Sequence, residues 1–282
     1  MEEADFRLLR EVIYKHCGIS LNDDKKALVR ARVAKQVRAG GFGSVREYMD
    51  RVLADRDGRL FSEFIDAMST NLTSFFREAD HFEYLTEMVL PALLEIKRRD
   101  GDARILTWSA ACSTGEEPYT LAMTIQDAID KLPRSHLQWD VRILASDIST
   151  KVLSTARAGV YESDRLGPVP PESRSKYFAP LNTRGHEEQY AISPEIRQMV
   201  RFRYLNLIGA WPFKGPFDFI FCRNVMIYFD RPTQQELVQR FWNCLAPGGI
   251  LFTGHSESLM GITHRFVNKK PSIYEKARPE AN

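Results

Sequence analysis

Apolar residues along this chain follow two different rhythms. Through the first hundred positions they recur every three or four residues, the spacing of helices that bury one face. Phe6, Leu9, Val12 and Ile13 form a first stripe, stopped by Gly18. A second helix is expected from Asp23, as N-cap, to Ala39, with Gly40 and Gly41 ending it. Val29, Val33 and Val37 are its buried stripe, and Lys25, Arg32, Lys35 and Arg38 fall on the opposite side, within an arc of roughly 140°. Further helices are expected around 45–53, 60–68 and 79–97.

From residue 104 the rhythm changes to short, mostly apolar runs. Residues 105–108 meet a loop of small residues, 109–115, and a helix opens at Glu116-Glu117-Pro118, where proline suits a first turn. A second run, 141–145, ends at Ser146-Asp147, and Ser149 or Thr150 can cap the next helix. This β-loop-α-β-loop-α pattern implies a parallel sheet with helices on its faces. The pattern breaks over 161–200, where Pro168, Pro170 and Pro171, a short helix to Phe178, a polar loop 182–189 and Tyr190-Ala191-Ile192-Ser193 read as an inserted small antiparallel subdomain. Strands resume at 200–207 and 217–222. A helix over 232–245, a strand over 250–253 and a hairpin near 265–275 complete the chain.

Composition narrows the class. The 282 residues are 44% hydrophobic and 27% charged, enough for two domains, with no apolar run of membrane-spanning length. MEEADF shows no signal-peptide pattern. Cys17, Cys112, Cys222 and Cys244 are scattered without a CxxC, which argues for a reducing compartment and against a metal cluster. Net charge is +2, so electrostatic information must be local.

Charge also separates the two ligand classes that suit such a sheet. A dinucleotide wants glycines and no nearby anion at the first loop. Here the loop reads Ala110-Ala111-Cys112-Ser113-Thr114-Gly115 and is followed by Glu116 and Glu117. Those carboxylates repel a pyrophosphate and favour a ligand bearing an ammonium and a sulfonium, S-adenosylmethionine; the alternative is that they only complement the helix dipole. Asp147, at the second strand's end, is placed to hold a ribose.

Other positions carry two readings each. Asn71, Thr73 and Ser74 can be plain caps. Phe75 and Phe76 read as core that would pin Arg77 near a cleft between the small domain and the sheet. The basic stripe of the second helix is either a solvated face or a docking surface for an acidic partner.

Four stretches carry a resemblance to a known family: 71–78 (NLTSFFRE), 108–119 (WSAACSTGEEPY), 221–230 (FCRNVMIYFD) and 254–258 (GHSES). They resemble the CheR family of bacterial chemoreceptor glutamate methyltransferases, in order and over nearly the whole chain. The resemblance implies an α/β fold, a class I S-adenosylmethionine-dependent methyltransferase with a Rossmann-like, mostly parallel sheet. A small all-helical N-terminal domain (1–70), a joining linker and helix (71–100), and a methyltransferase domain (101–282) with an antiparallel β-subdomain inserted at about 161–200 would make up the chain. It further implies methyl transfer from S-adenosyl-L-methionine to glutamate side chains on the cytoplasmic helical bundle of chemoreceptors, leaving S-adenosyl-L-homocysteine. Cofactor contacts would be Asn71, Thr73, Arg77, Glu117, Asp147, Asn206, Leu207, Arg223 and Asn224, with Arg77 and Tyr228 at the reacting centre. Arg32, Lys35 and Arg38 would dock the receptor, no metal is required, and the protein would be a cytoplasmic monomer. Some members grip a receptor C-terminal peptide with the β-subdomain; the loop Asn182-Thr183-Arg184-Gly185-His186-Glu187-Glu188 leaves that open here.

The chemistry fits without a general base, because a glutamate with a free pKa of about 4.3 is already an anion at neutral pH. His255, the one histidine in these motifs, reads as structural. Two other classes remain. A nucleic-acid methyltransferase would carry an Asn/Asp-Pro-Pro-aromatic run where Arg223-Asn224-Val225-Met226 stands, and a stronger basic footprint. A non-catalytic S-adenosylmethionine-binding module would not need Arg77 and Tyr228.

Overall fold

Strand β1 (Arg104–Ala110) runs parallel to β2 (Asp140–Asp147), paired from Arg104 with Asp140 through Ala110 with Ser146. Its side chains alternate between two cores: Ile105 packs on one face, Trp108 and Ala110 on the other. Strand β7 (Phe217–Cys222) repeats this, with Phe219 and Phe221 on the first face and Ile220 and Cys222 on the second. Strands covered on both faces are what such apolar-rich runs encode.

The computed structural model describes residues 3–55, 58–133, 138–181 and 188–278. Besides those three strands the large sheet contains β6 (Val200–Tyr204), β8 (Leu245–Thr253), β9 (Val267–Lys270) and β10 (Ile273–Glu275), in the order β6-β2-β1-β7-β8-β10-β9. It is parallel from β6 to β8, and the β9–β10 hairpin closes it antiparallel. The main crossover helices are α7 (Glu116–Asp130), α8 (Thr150–Ala158) and α11 (Arg231–Cys244). Ser149 caps α8 by accepting from Val152 N. Strand β8 starts earlier than the expected 250, because Pro247-Gly248-Gly249 is absorbed as a register shift opposite β7 rather than ending a turn. Strand β6 ends at Tyr204, short of the expected 207, and residues 205–207 turn aside.

The insertion forms a second sheet of β3 (Val160–Glu162), β4 (Phe178–Leu181) and β5 (Gln189–Ile192), antiparallel in the order β3-β5-β4. Short helices α9 (Pro171–Tyr177) and α10 (Pro194–Met199) flank it. The loop considered for a receptor tail, 182–187, lies outside the described residues.

Helices α1 (Glu3–Cys17), α2 (Lys26–Ala39), α3 (Val45–Ala54) and α4 (Arg59–Met68) pack around Phe6, Leu9, Ile13, Val33, Met49 and Phe64. Asp23 is not the N-cap expected of it: residues Asp23–Lys25 form a 3-10 turn, and α2 begins after it. The helix expected over 79–97 is α5 (Ala79–Tyr84) and α6 (Leu90–Asp100) joined through a π turn, Leu85–Val89. Pro91 lacks an N–H and its ring would strike the carbonyl one turn back, and the wider turn just before it relieves that clash.

The helical bundle is stitched to the sheet domain through the end of α1 and the segment after it, and through Ser62 of α4, whose hydroxyl lies 3.1 Å from that of Thr150 at the start of α8. Ile19 bridges Phe229, Ser20 N donates to Tyr228 O at 2.7 Å, and the Tyr14 hydroxyl donates to Asp230 Oδ2 at 2.7 Å. A cleft is left between the bundle and the carboxyl ends of β1, β2 and β7.

Candidate functional site

The loop after β1 must turn back sharply. Ala111 and Ser113 adopt left-handed conformations (φ 63° and 49°), and Gly115 takes φ 98°. A Cβ on Gly115 would lie 2.9 Å from both Ala156 Cβ and Tyr161 Oη, so only glycine fits. Asp147 fastens this loop to the next one: Oδ2 accepts from Ser113 N and Oδ1 from Ser149 N, each at 2.9 Å. Asp147 is 6% exposed, and burial pushes its carboxyl above the usual range despite those amides.

The two glutamates opening α7 part company. Glu116 is fully buried, ion-paired to Arg165 of the insertion and accepting from Thr114 Oγ1 at 2.6 Å. It is therefore spent inside the protein, a correction to the reading that both acids greet the ligand. Glu117 faces the cleft, accepts from Ser109 Oγ at 2.7 Å, and has its carboxyl pushed up by burial against the pull of Arg223.

The 71–78 segment crosses the cleft without capping a helix. Asn71 O accepts from Ser113 Oγ at 2.9 Å, and Arg77 Nη1 donates to Leu72 O at 2.7 Å. Phe75 is fully buried and Phe76 half-buried, and Phe76 N donates to Thr120 Oγ1. Arg223 Nη2 donates to Arg77 O, tying the arginine's backbone to the end of β7. Arg223 itself is 5% exposed, with Nε 3.4 Å from Glu78 Oε2 and 3.6 Å from Glu117 Oε2. Its Nε and Nη1 have no hydrogen-bond partner among the described residues.

One pocket of about 1370 Å³, counting its open mouth, collects these groups. Asn71, Thr73, Arg77, Glu117, Asp147, Asn206, Leu207, Arg223, Asn224 and Tyr228 all line it. The strands converge there because parallel strands end on one edge and residues 205–207 bend inward past Tyr204. Asn206 also donates from Nδ2 to His16 O, fixing that wall to the bundle.

Of the basic stripe, Arg32 is half-buried and donates to Met68 O at 2.6 Å and Thr70 Oγ1 at 3.2 Å, so it braces the linker from within the cleft. Lys35 and Arg38 are exposed. The sequence reading missed the bundle's contribution to the pocket: Ile13, Cys17, Lys25 and Val29 form one wall. Ile13, Cys17 and Val29 read as ordinary core, and nothing local marks them. Lys25 reaches over the Tyr228 ring, 5.2 Å from its centroid.

His255 is exposed and bonded to Asp80 through Nε2 at 3.0 Å, beside buried His81. Glu78, His81 and His255 bring ligand atoms within 4.8 Å of one another, but the Arg223 guanidinium 3.4 Å from Glu78 opposes a cation there.

The donor set suits S-adenosylmethionine. Buried Arg223 N–H groups without a hydrogen-bond partner could meet its carboxylate, Glu117 its ammonium and Asp147 a ribose, while Leu205, Leu207 and Ile148 supply apolar wall.

Comparison with known proteins gives the same direction. The family model described as "CheR methyltransferase, SAM binding domain" matches residues 71–274, and "CheR methyltransferase, all-alpha domain" matches residues 4–69. A probable chemotaxis protein methyltransferase of Rhizobium etli is 41% identical over 258 residues, covering 91% of this chain and 94% of that protein. The chemotaxis protein methyltransferase of Salmonella typhimurium is 38% identical over 282 residues, 100% of this chain and 93% of that protein. That of Escherichia coli is 39% identical over 275 residues, 97% and 91% respectively.

Proposed function

Because this chain belongs to the CheR methyltransferase family, we propose that it methylates glutamate side chains on the cytoplasmic helical bundle of chemoreceptors, yielding glutamate methyl esters in a chemotactic or related sensory array. The observation that carries this reading is the convergence of Arg77 and Tyr228 on the same pocket as Glu117, Asp147 and Arg223.

S-adenosylmethionine, when bound, supplies an electrophilic methyl group. The chain's part is to hold and orient. Asp147 and Glu117 would receive the cofactor's ribose and ammonium, and Arg223, Asn71, Thr73 and Asn224 its remaining polar groups, with Asn206 and Leu207 bounding the pocket beside them. The substrate carboxylate arrives ionised, so no proton has to be removed. Arg77 can present a fork of donors to its oxygens and Tyr228 a single hydroxyl, which fixes the attack line; such alignment is worth up to about 7–11 kcal/mol. Lys35 and Arg38 would meet the acidic methylation helices from outside, with Arg32 behind them. In this reading the protein works in the cytoplasm; among the described residues no helix is long and apolar enough to cross a membrane.

The test is transfer of tritium from labelled S-adenosylmethionine to a purified receptor cytoplasmic fragment. Base-labile label on glutamate is the expected result. Base-stable protein label, or label only in nucleic acid, would overturn the proposal.

A further inference from the structure

The Gly254–Ser258 motif contributes nothing to the pocket wall, yet it contains a buried acid with an unusual set of partners. Glu257 is 5% exposed and makes no ion pair among the described residues. Its carboxylate is held by main-chain amides: Oε2 accepts from Asn224 N at 2.6 Å and Gly254 N at 2.7 Å, and Oε1 accepts from Ile227 N at 3.1 Å. Two of those amides belong to the turn that carries Arg223, Asn224 and Tyr228 out of β7 and into the pocket.

That turn is not a conformation the chain would choose alone. Asn224 sits at φ 57°, in the left-handed region, and a short 3-10 turn Met226–Tyr228 follows at once. Turning backbone this tightly inside a protein leaves N–H groups without carbonyl partners, and each orphan would be costly. An acid can satisfy several at once, because an ionised carboxylate accepts on both oxygens and donates on neither. The fit leaves no slack: a Cβ on Gly254 would lie 2.7 Å from both Asn224 Nδ2 and Glu257 Oε2. The backbone of Glu257 is pinned separately, its carbonyl accepting from Thr253 Oγ1 at 3.0 Å and its N–H donating to Gly254 O at 2.8 Å.

We propose that Glu257 is a positioning residue for methyl transfer: its carboxylate, gripping the amides of Asn224 and Ile227, sets the curvature of the 223–228 turn and so the placement of Tyr228 against the Arg77 side of the pocket. The proposal rests on the reading that this turn serves the reaction. Glu257 touches no substrate; it acts through backbone.

The experiment compares wild type with Glu257→Gln, which keeps shape but turns one acceptor into a donor, and with Thr253→Val, which removes the backbone anchor and leaves the carboxylate. In wild type, the amides of Asn224 and Ile227 should exchange slowly with solvent although they lie in a turn. In Glu257→Gln they should exchange about tenfold faster. Single-turnover methylation at saturating S-adenosylmethionine should fall by about tenfold or more, with KM for the receptor fragment within about twofold. Thr253→Val should keep both. Free exchange of these amides in wild type, unchanged exchange and turnover in Glu257→Gln, or equal losses in both variants would overturn the proposal. Because amide exchange needs no substrate, it reads Glu257 even if wild type methylates no receptor glutamate, a result that would instead sink the functional reading.

Discussion

Lys25 of the helical bundle lies over the ring of Tyr228, Nζ 5.2 Å from the centroid, while the neighbouring Ser20 N holds Tyr228 O at 2.7 Å. The bundle thus touches the tyrosine by ring face and by backbone, and neither contact uses its hydroxyl. Removing that hydroxyl keeps both contacts, so Tyr228→Phe should lower kcat without changing affinity for S-adenosylmethionine. Single-turnover transfer and calorimetry together check this. An unchanged rate would place methyl delivery elsewhere.

Arg77 should matter more. Its guanidinium already donates to Leu72 O, which pre-orients the remaining donors. Arg77→Ala should cost more than Tyr228→Phe, and Arg77→Lys should recover little, since an ammonium has no planar fork. Full activity of the lysine variant in the same assay would rule out a bidentate role.

Asp147 has a double task, tying two loops and facing the pocket. Asp147→Asn keeps its shape and should weaken S-adenosylhomocysteine binding by about 1.5–3 kcal/mol, the worth of hydrogen bonds to a charged group. Titration calorimetry on the folded variant decides it; unchanged affinity would remove Asp147 from the ribose site.

The basic stripe divides. Lys35→Glu with Arg38→Glu should slow methylation of a receptor fragment, and the wild-type rate should fall with rising salt, while cofactor affinity holds. Arg32→Glu should in addition loosen the end of α4 at 68–70 and lower thermal stability, because Arg32, unlike Lys35 and Arg38, is bonded inward. Stopped-flow rates and melting curves separate the two effects.

His81 sets an acid limit. It is fully buried, neither ring nitrogen has a hydrogen-bond partner among the described residues, and burial, with Arg223 nearby, lowers its pKa to about 4. The unfolded chain takes up a proton below about 6.5 while the folded one does not, so the stability present above 6.5 drains as pH falls toward 4, by up to about 3 kcal/mol. His81→Phe should preserve packing against Phe252 and flatten that decline. Urea unfolding of both proteins at pH 7.5, 6 and 5 tests it, and parallel declines would exclude His81 as the cause.

Local patterning determined much of this protein. The runs at 105–108, 141–145 and 217–222 read as strands, Gly115 and Pro118 marked where α7 opens, and Ser149 or Thr150 was legible as the cap of α8, because each depends on neighbours a few residues away; the structure makes Ser149 that cap. The motif stretches also named residues that line one pocket. What tertiary structure alone decided was direction and partnership. Glu116 and Glu117 are adjacent in sequence but about 100° apart around a helix, and which of them meets the ligand depends on how α7 rolls against the sheet and on Arg165, 49 positions away. Arg32 was indistinguishable from Lys35 on a helical wheel until the carbonyl of Met68, at the end of α4, came within reach. The bundle's wall of the pocket and the clasp of Ser20 on Tyr228 exist only once the helical bundle has packed on the sheet domain, and the grip of Glu257 on the 223–228 turn exists only once β7 and β8 lie side by side, because each joins segments distant in the chain.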